Sequence, residues 1–183
     1  MASSPSLNHA LFLSTISLFL LVQFPLPTTA NLGLLGGICK NSAVVADYSL
    51  CMQVLETNPH AILSAKNLLE LGTVIFRIAD AKMTEADKHL KDLIKTNPKA
   101  ISLEETCTFS HLFGIEKDFV QGMKKDPKST SYDTMVALDT ARYCESGLAG
   151  LGLKVPSIEA GIRDIRTFSN ILTAILDSLP MPN

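Results

Sequence analysis

The sequence predicts an all-α protein, an up-down-up-down four-helix bundle with an N-terminal helical hairpin extension and two disulfides. Three observations support this fold class. Apolar residues recur every three or four positions over long stretches, as on the buried face of a helix. β-branched residues are dispersed and lack the period-two alternation of strands. Four cysteines, Cys39, Cys51, Cys107 and Cys144, follow a segment that resembles a secretory signal, a context in which disulfides form.

The N-terminal segment is typical of a signal peptide. Residues 11–24 contain no charged side chain, and a run of this length fits a signal core better than a bilayer span. Pro25 and Pro27 end the run, and small residues follow up to Ala30. We therefore predict a signal peptide over 1–30. An uncleaved membrane anchor is the alternative, but no basic flank supports it.

The rest of the chain, residues 31–183, is predicted to be one domain. It divides into an N-terminal hairpin over 31–57 and a four-helix bundle over 58–180. The 16 basic and 18 acidic residues give a net charge of -2. This balance offers no basic face for nucleic acid or for a membrane surface, so neither is an expected partner after signal cleavage.

The first bundle helix has the strongest periodicity, between residues 60 and 97. Asn58 and Pro59 suit a helix start, and Asn97 followed by Pro98 suits a helix end. A heptad-like seam runs between them. Its members are Ile62, Ala65, Leu69, Gly72, Phe76, Ala79, Met83, Ala86, Leu90 and Leu93.

Three further helices follow. The second is predicted to begin near Ser102, which is spaced from Glu105 as a capping box. The third begins near 129–131 and places Met135 on its apolar side. The fourth follows Pro156. The short links between these helices favour antiparallel neighbours.

The four cysteines predict two disulfides, for which three connectivities exist. The midpoint of Cys39 and Cys51 is residue 45, and the midpoint of Cys107 and Cys144 lies between residues 125 and 126. Both midpoints fall in predicted turns, where antiparallel helices would bring each pair together. We therefore predict bridges 39–51 and 107–144. None of the cysteines has the close C-x-x-C type of spacing that structural zinc requires.

No constellation of residues indicates catalysis. His60, His89 and His111 lie far apart in sequence, and neighbouring acids such as Glu104 and Glu105 lie on predicted solvated surface. A phosphate-binding loop and a nucleophile elbow are both missing from the sequence. We predict a protein that is not an enzyme, with no catalytic residues, no cofactor and no metal.

Four segments carry a resemblance to a known family. Residues 38–59 read ICKNSAVVADYSLCMQVLETNP, residues 105–107 read ETC, residues 141–145 read ARYCE, and residues 170–176 read NILTAIL. Together with the order of the cysteines they resemble the plant invertase and pectin methylesterase inhibitor family over the whole mature chain. The resemblance implies a secreted inhibitor that binds one target enzyme at about 1:1. The target is pectin methylesterase (pectinesterase) or acid invertase (β-fructofuranosidase), in the apoplast of the cell wall or in the vacuole.

One link bears on the choice of target. Invertase inhibitors of the family carry a Pro-Lys-Phe motif before the third bundle helix, and here Asp126, Pro127 and Lys128 match that link while Ser129 replaces the aromatic residue. The resemblance makes Asp126, Pro127 and Lys128 candidate target contacts. An ordinary turn is the alternative interpretation. Inhibition of pectin methylesterase would use a broader helix face, which no short motif marks.

Two other functions fit a secreted helical bundle. The high aliphatic content would allow an apolar ligand to bind in the core. A structural or interaction protein with a receptor partner is the other alternative.

Overall fold

A computed structural model of the chain describes residues 29–41, 48–110, 112–114 and 116–181. The predicted signal peptide lies outside this part except for its last two residues, so its cleavage stays a prediction. The turn predicted at residue 45 and His111 also lie outside it. Among the helices of the described residues, none combines the length and apolar character needed to cross a membrane.

The described residues form seven α-helices and one 3₁₀ helix, and no strand. In chain order they are α1 (Thr29–Asn41), α2 (Tyr48–Glu56), α3 (Pro59–Leu63), α4 (Leu68–Thr96), the 3₁₀ helix (Pro98–Leu103), α5 (Glu116–Lys125), α6 (Pro127–Gly150) and α7 (Pro156–Asp177). Helices α4 to α7 form the bundle, in which α7 packs against both α4 and α6. The hairpin of α1 and α2 packs against α7. The structure confirms the predicted fold class.

The core is centred on α7, which is surrounded by the other elements. Between Thr167 and Leu176 all of its residues except Asn170 are buried, as expected where a helix is enclosed on all sides. Between α4 and α5 the core is completed by three aromatic rings. The rings of Phe76 and Phe119 lie 4.7 Å apart, and Phe113 lies 6.2 Å from Phe76.

The first bundle helix starts later than predicted. Pro59 begins the short helix α3, and α4 begins only at Leu68. Asn67 caps α4 because its side-chain oxygen accepts a hydrogen bond from the Glu70 N–H at 2.9 Å, and the Glu70 carboxylate accepts one from the Lys66 N–H at 2.9 Å. These two hydrogen bonds satisfy free N–H groups at the helix start. The cap therefore begins a new helix at Leu68, although the apolar seam continues from α3 into α4.

The second bundle helix is shorter than predicted. It covers Glu116–Lys125, whereas Ser102 lies in the 3₁₀ helix. In the segment between them, two backbone N–H groups are bound to a side chain of α4 and not to helical carbonyls. The Asp87 carboxylate accepts hydrogen bonds from the N–H groups of Phe109 (2.6 Å) and Ser110 (2.7 Å). A side-chain acceptor on a neighbouring helix thus replaces helical hydrogen bonds.

The two disulfides join Cys39 to Cys51 and Cys107 to Cys144. The first connects α1 to α2. The second connects the irregular segment before α5 to α6, so Cys107 does not lie in a helix as the midpoint argument supposed. All four cysteines are buried. Each bridge fastens a short or irregular segment to a neighbouring element.

Candidate target-binding face

The inner face of α6 is made of small and polar residues. It consists of Pro127, Thr130, Ser131, Thr134, Ala137, Ala141, Cys144 and Leu148. The hydroxyl of Thr134 lies 2.5 Å from that of Thr173 on α7 and donates a hydrogen bond to the Ser131 carbonyl at 2.7 Å. Because most of these side chains are small, α6 and α7 approach closely, and Leu148 near the end of α6 is the one large aliphatic residue among them.

The opposite side of α6 is a solvent-exposed stripe, which we call the outer face. It comprises Lys128, Tyr132, Met135, Asp139 and Tyr143, all exposed and separated by steps of three and four residues, so they lie on one face of the helix. Tyr132, Met135 and Tyr143 are 67%, 55% and 66% exposed. At a rise of 1.5 Å per residue the stripe is about 22 Å long.

This face has the composition of a protein–protein interface. Tyrosine and methionine are enriched at the centres of such interfaces, and tyrosine often dominates their binding energy. Val136 lies beside the stripe and is also exposed. Asp139, which belongs to the stripe, forms an ion pair with Arg142 at 3.0 Å. The exposure of several large apolar side chains along one helix face makes this stripe the candidate contact surface.

The predicted position of Met135 on the apolar side of the helix was wrong. Periodicity alone assigns the largest apolar residues to the core, but here the inner face consists mostly of small residues. The exposed tyrosines were missed for the same reason. The run of threonines, serines and alanines at helical spacing was the available indication.

The three candidate contact residues occupy the start of α6. Asp126 caps the helix, since its carboxylate accepts a hydrogen bond from the Ser129 N–H at 3.0 Å. Pro127 is the first helical residue and is buried. Lys128 is exposed and heads the outer face. The link before this helix is therefore Asp126 alone, and α6 begins earlier than the predicted 129–131. Target contact by these residues stays a prediction.

The described residues contain no group of three or more His, Cys, Asp or Glu side chains placed to hold a metal ion. His60 and His89 are exposed on different helices. Within this part of the chain the geometry offers a contact surface and no assembled set of metal-ligating groups.

One carboxyl group of α7, that of Asp164, is partly buried beside α4. Burial raises the pKa of Asp164, although the positive charges of Lys82 and Arg163 act against this effect and Glu85 adds to it. A raised pKa means that the folded state disfavours the charged form, so this group's contribution to stability is full at low pH and is lost as pH rises through the folded pKa.

We therefore expect Asp164→Asn to raise the melting temperature at pH 7 and to leave it unchanged near pH 3, where the carboxyl is protonated in both states. The gain should stay below about 1 kcal/mol because the group is partly exposed and screened by solvent. Thermal unfolding at the two pH values checks this. Glu159→Gln on the same helix, which makes the same change of charge, is the control. Equal gains for both variants would contradict the assignment.

Comparison with known proteins shows the fold. The crystal structure of a mutant form of a pectin methylesterase inhibitor from Arabidopsis superimposes with a TM-score of 0.61, at 17% sequence identity, over 80% of this chain and 99% of that one. No family model matches the sequence, and no curated protein matches it. The likeness confirms the fold that the resemblance in sequence implies, a stapled helical bundle of the inhibitor type.

Proposed function

We propose that this protein is a secreted enzyme inhibitor that binds pectin methylesterase through the outer face of α6. The observation that carries the proposal is the exposed row of Tyr132, Met135 and Tyr143 on a bundle with the fold of a pectin methylesterase inhibitor. In this proposal the protein is not an enzyme. It acts by covering its partner, which needs a rigid complementary surface and no acid–base pair.

The start of α6 favours pectin methylesterase over acid invertase. Ser129 replaces the aromatic residue of the invertase-inhibitor motif and lies in the first helical turn, where its N–H binds the Asp126 cap. The neighbouring Pro127 is buried. Lys128 is exposed at the end of the outer face. A long helix face is therefore available for contact, whereas a protruding aromatic anchor is missing from this link. Acid invertase is the second target to test.

The disulfides support the secretory route. Both bridges are buried, and such bonds form and persist in oxidising compartments. We propose an extracellular location in the apoplast, with the vacuole as the alternative.

The outer face is tested by Tyr132→Ala combined with Tyr143→Ala. We expect the double variant to inhibit pectin methylesterase at least about 30-fold more weakly, since truncating one central tyrosine commonly costs about 2 kcal/mol of binding. The measurement is the inhibition constant of the purified mature chain at mildly acidic pH. Tyr48→Ala is the matched control, because Tyr48 is the one remaining tyrosine of the chain and is 45% exposed on α2.

Two outcomes would contradict the proposal. If an excess of the folded wild-type chain inhibits neither pectin methylesterase nor acid invertase, the function is wrong. If the wild type inhibits but the double variant is as potent as Tyr48→Ala, the contact surface is wrong. Circular dichroism of each variant establishes that a lost activity is not a lost fold.

A second candidate function rests on one cavity. A space of about 580 Å³ lies where α1, the start of α4, α5 and the end of α7 meet. Its lining is Leu34, Leu68, Leu69, Leu179, Met123 and Pro180, together with the polar Asn67 and Lys124. Its size suits a small apolar ligand. Native mass spectrometry of the protein extracted from tissue would detect such a ligand. A consistently ligand-free protein would exclude this candidate.

A further inference from the structure

A second surface feature is a groove between α4 and α5. Its volume is about 750 Å³, and its lining residues belong to α4 and α5, with none from α6. The groove is therefore separate from the outer face proposed to bind the enzyme. Four cationic side chains line it, Arg77, Lys117, Lys124 and Lys125, against the single carboxylate of Glu116. This concentration of positive charge contrasts with the net charge of -2 of the whole chain.

The one carboxylate in the groove is already neutralised. Arg77 Nη2 lies 2.6 Å from Glu116 Oε1, and Arg77 Nε donates to the same oxygen at 2.9 Å. The hydrogen bond from Arg77 lowers the pKa of Glu116, so this acid stays ionised and keeps Arg77 occupied. The three lysines form none of the ion pairs found among the described residues. The three lysines therefore supply the positive charge that remains available to a ligand.

The spacing of the lysines fits an extended ligand. Lys117 and Lys124 are seven residues apart on α5, which is two helical turns, so they lie on one face about 10 Å apart along the helix axis. Gln121 and Val120 lie between them on the groove wall, and Thr73 lines it from α4. The groove thus offers the amide of Gln121, the hydroxyl of Thr73 and the small apolar surface of Val120 near two cations. These groups suit sugar rings that carry repeated negative charges.

We propose that this groove binds an acidic polysaccharide made of uronic acid units. The identity of the sugar rests on the proposed function, because hydrolysis of a methyl ester by a pectin methylesterase consumes water, releases methanol and a proton, and leaves a carboxylate on the polymer. The product of the target enzyme thus carries the charge that Lys117, Lys124 and Lys125 complement, and its esterified substrate does not. Binding to the product would hold the inhibitor on polymer that the enzyme has already processed.

The test compares two forms of one polymer. We expect the mature wild-type chain to bind polygalacturonate, to bind the fully methyl-esterified polymer at least tenfold more weakly, and to lose binding as salt is added. The variant Lys117→Gln with Lys124→Gln should bind polygalacturonate roughly tenfold more weakly, as expected for the loss of two exposed ion pairs. The matched control is Lys88→Gln with Lys91→Gln, two exposed lysines of α4 outside the groove that give the same change in net charge. Affinity electrophoresis in polymer-containing gels measures all four interactions.

Three results would overturn the proposal: equal binding of the esterified and free-acid polymers, equal loss of binding in the groove variant and the lysine control, or normal polymer binding with weakened enzyme inhibition in the groove variant. The last would assign the groove to the enzyme contact. The proposed function fails separately, because a wild-type chain that binds polygalacturonate but inhibits no enzyme would contradict only the inhibitor role.

Discussion

Replacing Cys107 and Cys144 together by serine is expected to lower the free energy of unfolding by about 4 kcal/mol, because the bridge closes a long loop in the unfolded chain. The two cysteines are 37 residues apart in sequence. The bridge also ties the irregular segment before α5 to α6, directly beside Tyr143. Urea denaturation measured by circular dichroism gives the stability, and the inhibition constant gives the effect on the outer face.

The first bridge supplies the matched control. Replacing Cys39 and Cys51 by serine removes a loop of only 12 residues, for which the same reasoning gives about 3 kcal/mol. This bridge lies in the α1–α2 hairpin and not on α6. Loss of inhibition should therefore be larger for the 107–144 variant at equal fraction folded. Unchanged stability and unchanged inhibition in that variant would show that the bridge has no part in presenting the face.

Asp87→Ala is expected to destabilise the protein by about 3 kcal/mol, because it leaves buried N–H donors without their charged acceptor. Asp87 is 5% exposed, and its two oxygens accept hydrogen bonds from Phe109 and Ser110 at 2.6 and 2.7 Å. Chemical denaturation measures the loss. Amide hydrogen exchange should accelerate first at Phe109 and Ser110, since these N–H groups lose their partner directly.

Asp92→Ala is the control for this variant. Asp92 lies on the same helix, is exposed, and forms only an ion pair with Lys95 at 3.2 Å, so its removal should cost less than about 0.5 kcal/mol. Asp87→Asn should fall between the two alanine variants, because an amide keeps one acceptor oxygen and presents a donor to the other N–H. An Asp87→Ala protein as stable as Asp92→Ala would mean that water replaces the carboxylate without cost.

The helix ends show how far local sequence rules reach. Asn67 with Glu70 and Asp126 with Ser129 both form caps within a few residues, so both starts could have been predicted from spacing. Both helix starts were predicted at the wrong residue. Pro59 resembles a first helical residue, and Thr130 is spaced from Asp133 as in a capping box. Several adequate caps compete within one sequence, and the packing of the following helix selects among them.

The irregular segment before α5 could not have been predicted in this way. Phe109, Phe113 and Phe119 follow one another at nearly helical intervals, and all three are buried. This spacing suggests one continuous helix, but neither Phe109 nor Phe113 lies in a helix. Its conformation depends on Asp87, which is 22 residues away from Phe109, and a charged residue on a helix gives no sequence indication that it faces the core.

The candidate face depends on tertiary structure for a related reason. Lys128 was found from a motif, while Tyr132, Met135 and Tyr143 became candidates only when the structure showed them exposed. The direction that α6 faces was decided by its contact with α7, where Thr134 meets Thr173. A close helix pair accepts small side chains whatever their polarity, provided that their hydroxyls find partners.

By itself the sequence determined the helical class and the presence of two disulfides, because helical periodicity and cysteine content do not depend on which elements become neighbours. Only the tertiary structure decided which face of α6 meets solvent, where the second bundle helix begins, and that the free lysines of α5 share one groove. Each of these depends on which elements become neighbours, and the side chains that set those contacts are distant in sequence and chosen by fit. Local sequence patterns therefore do not specify these contacts.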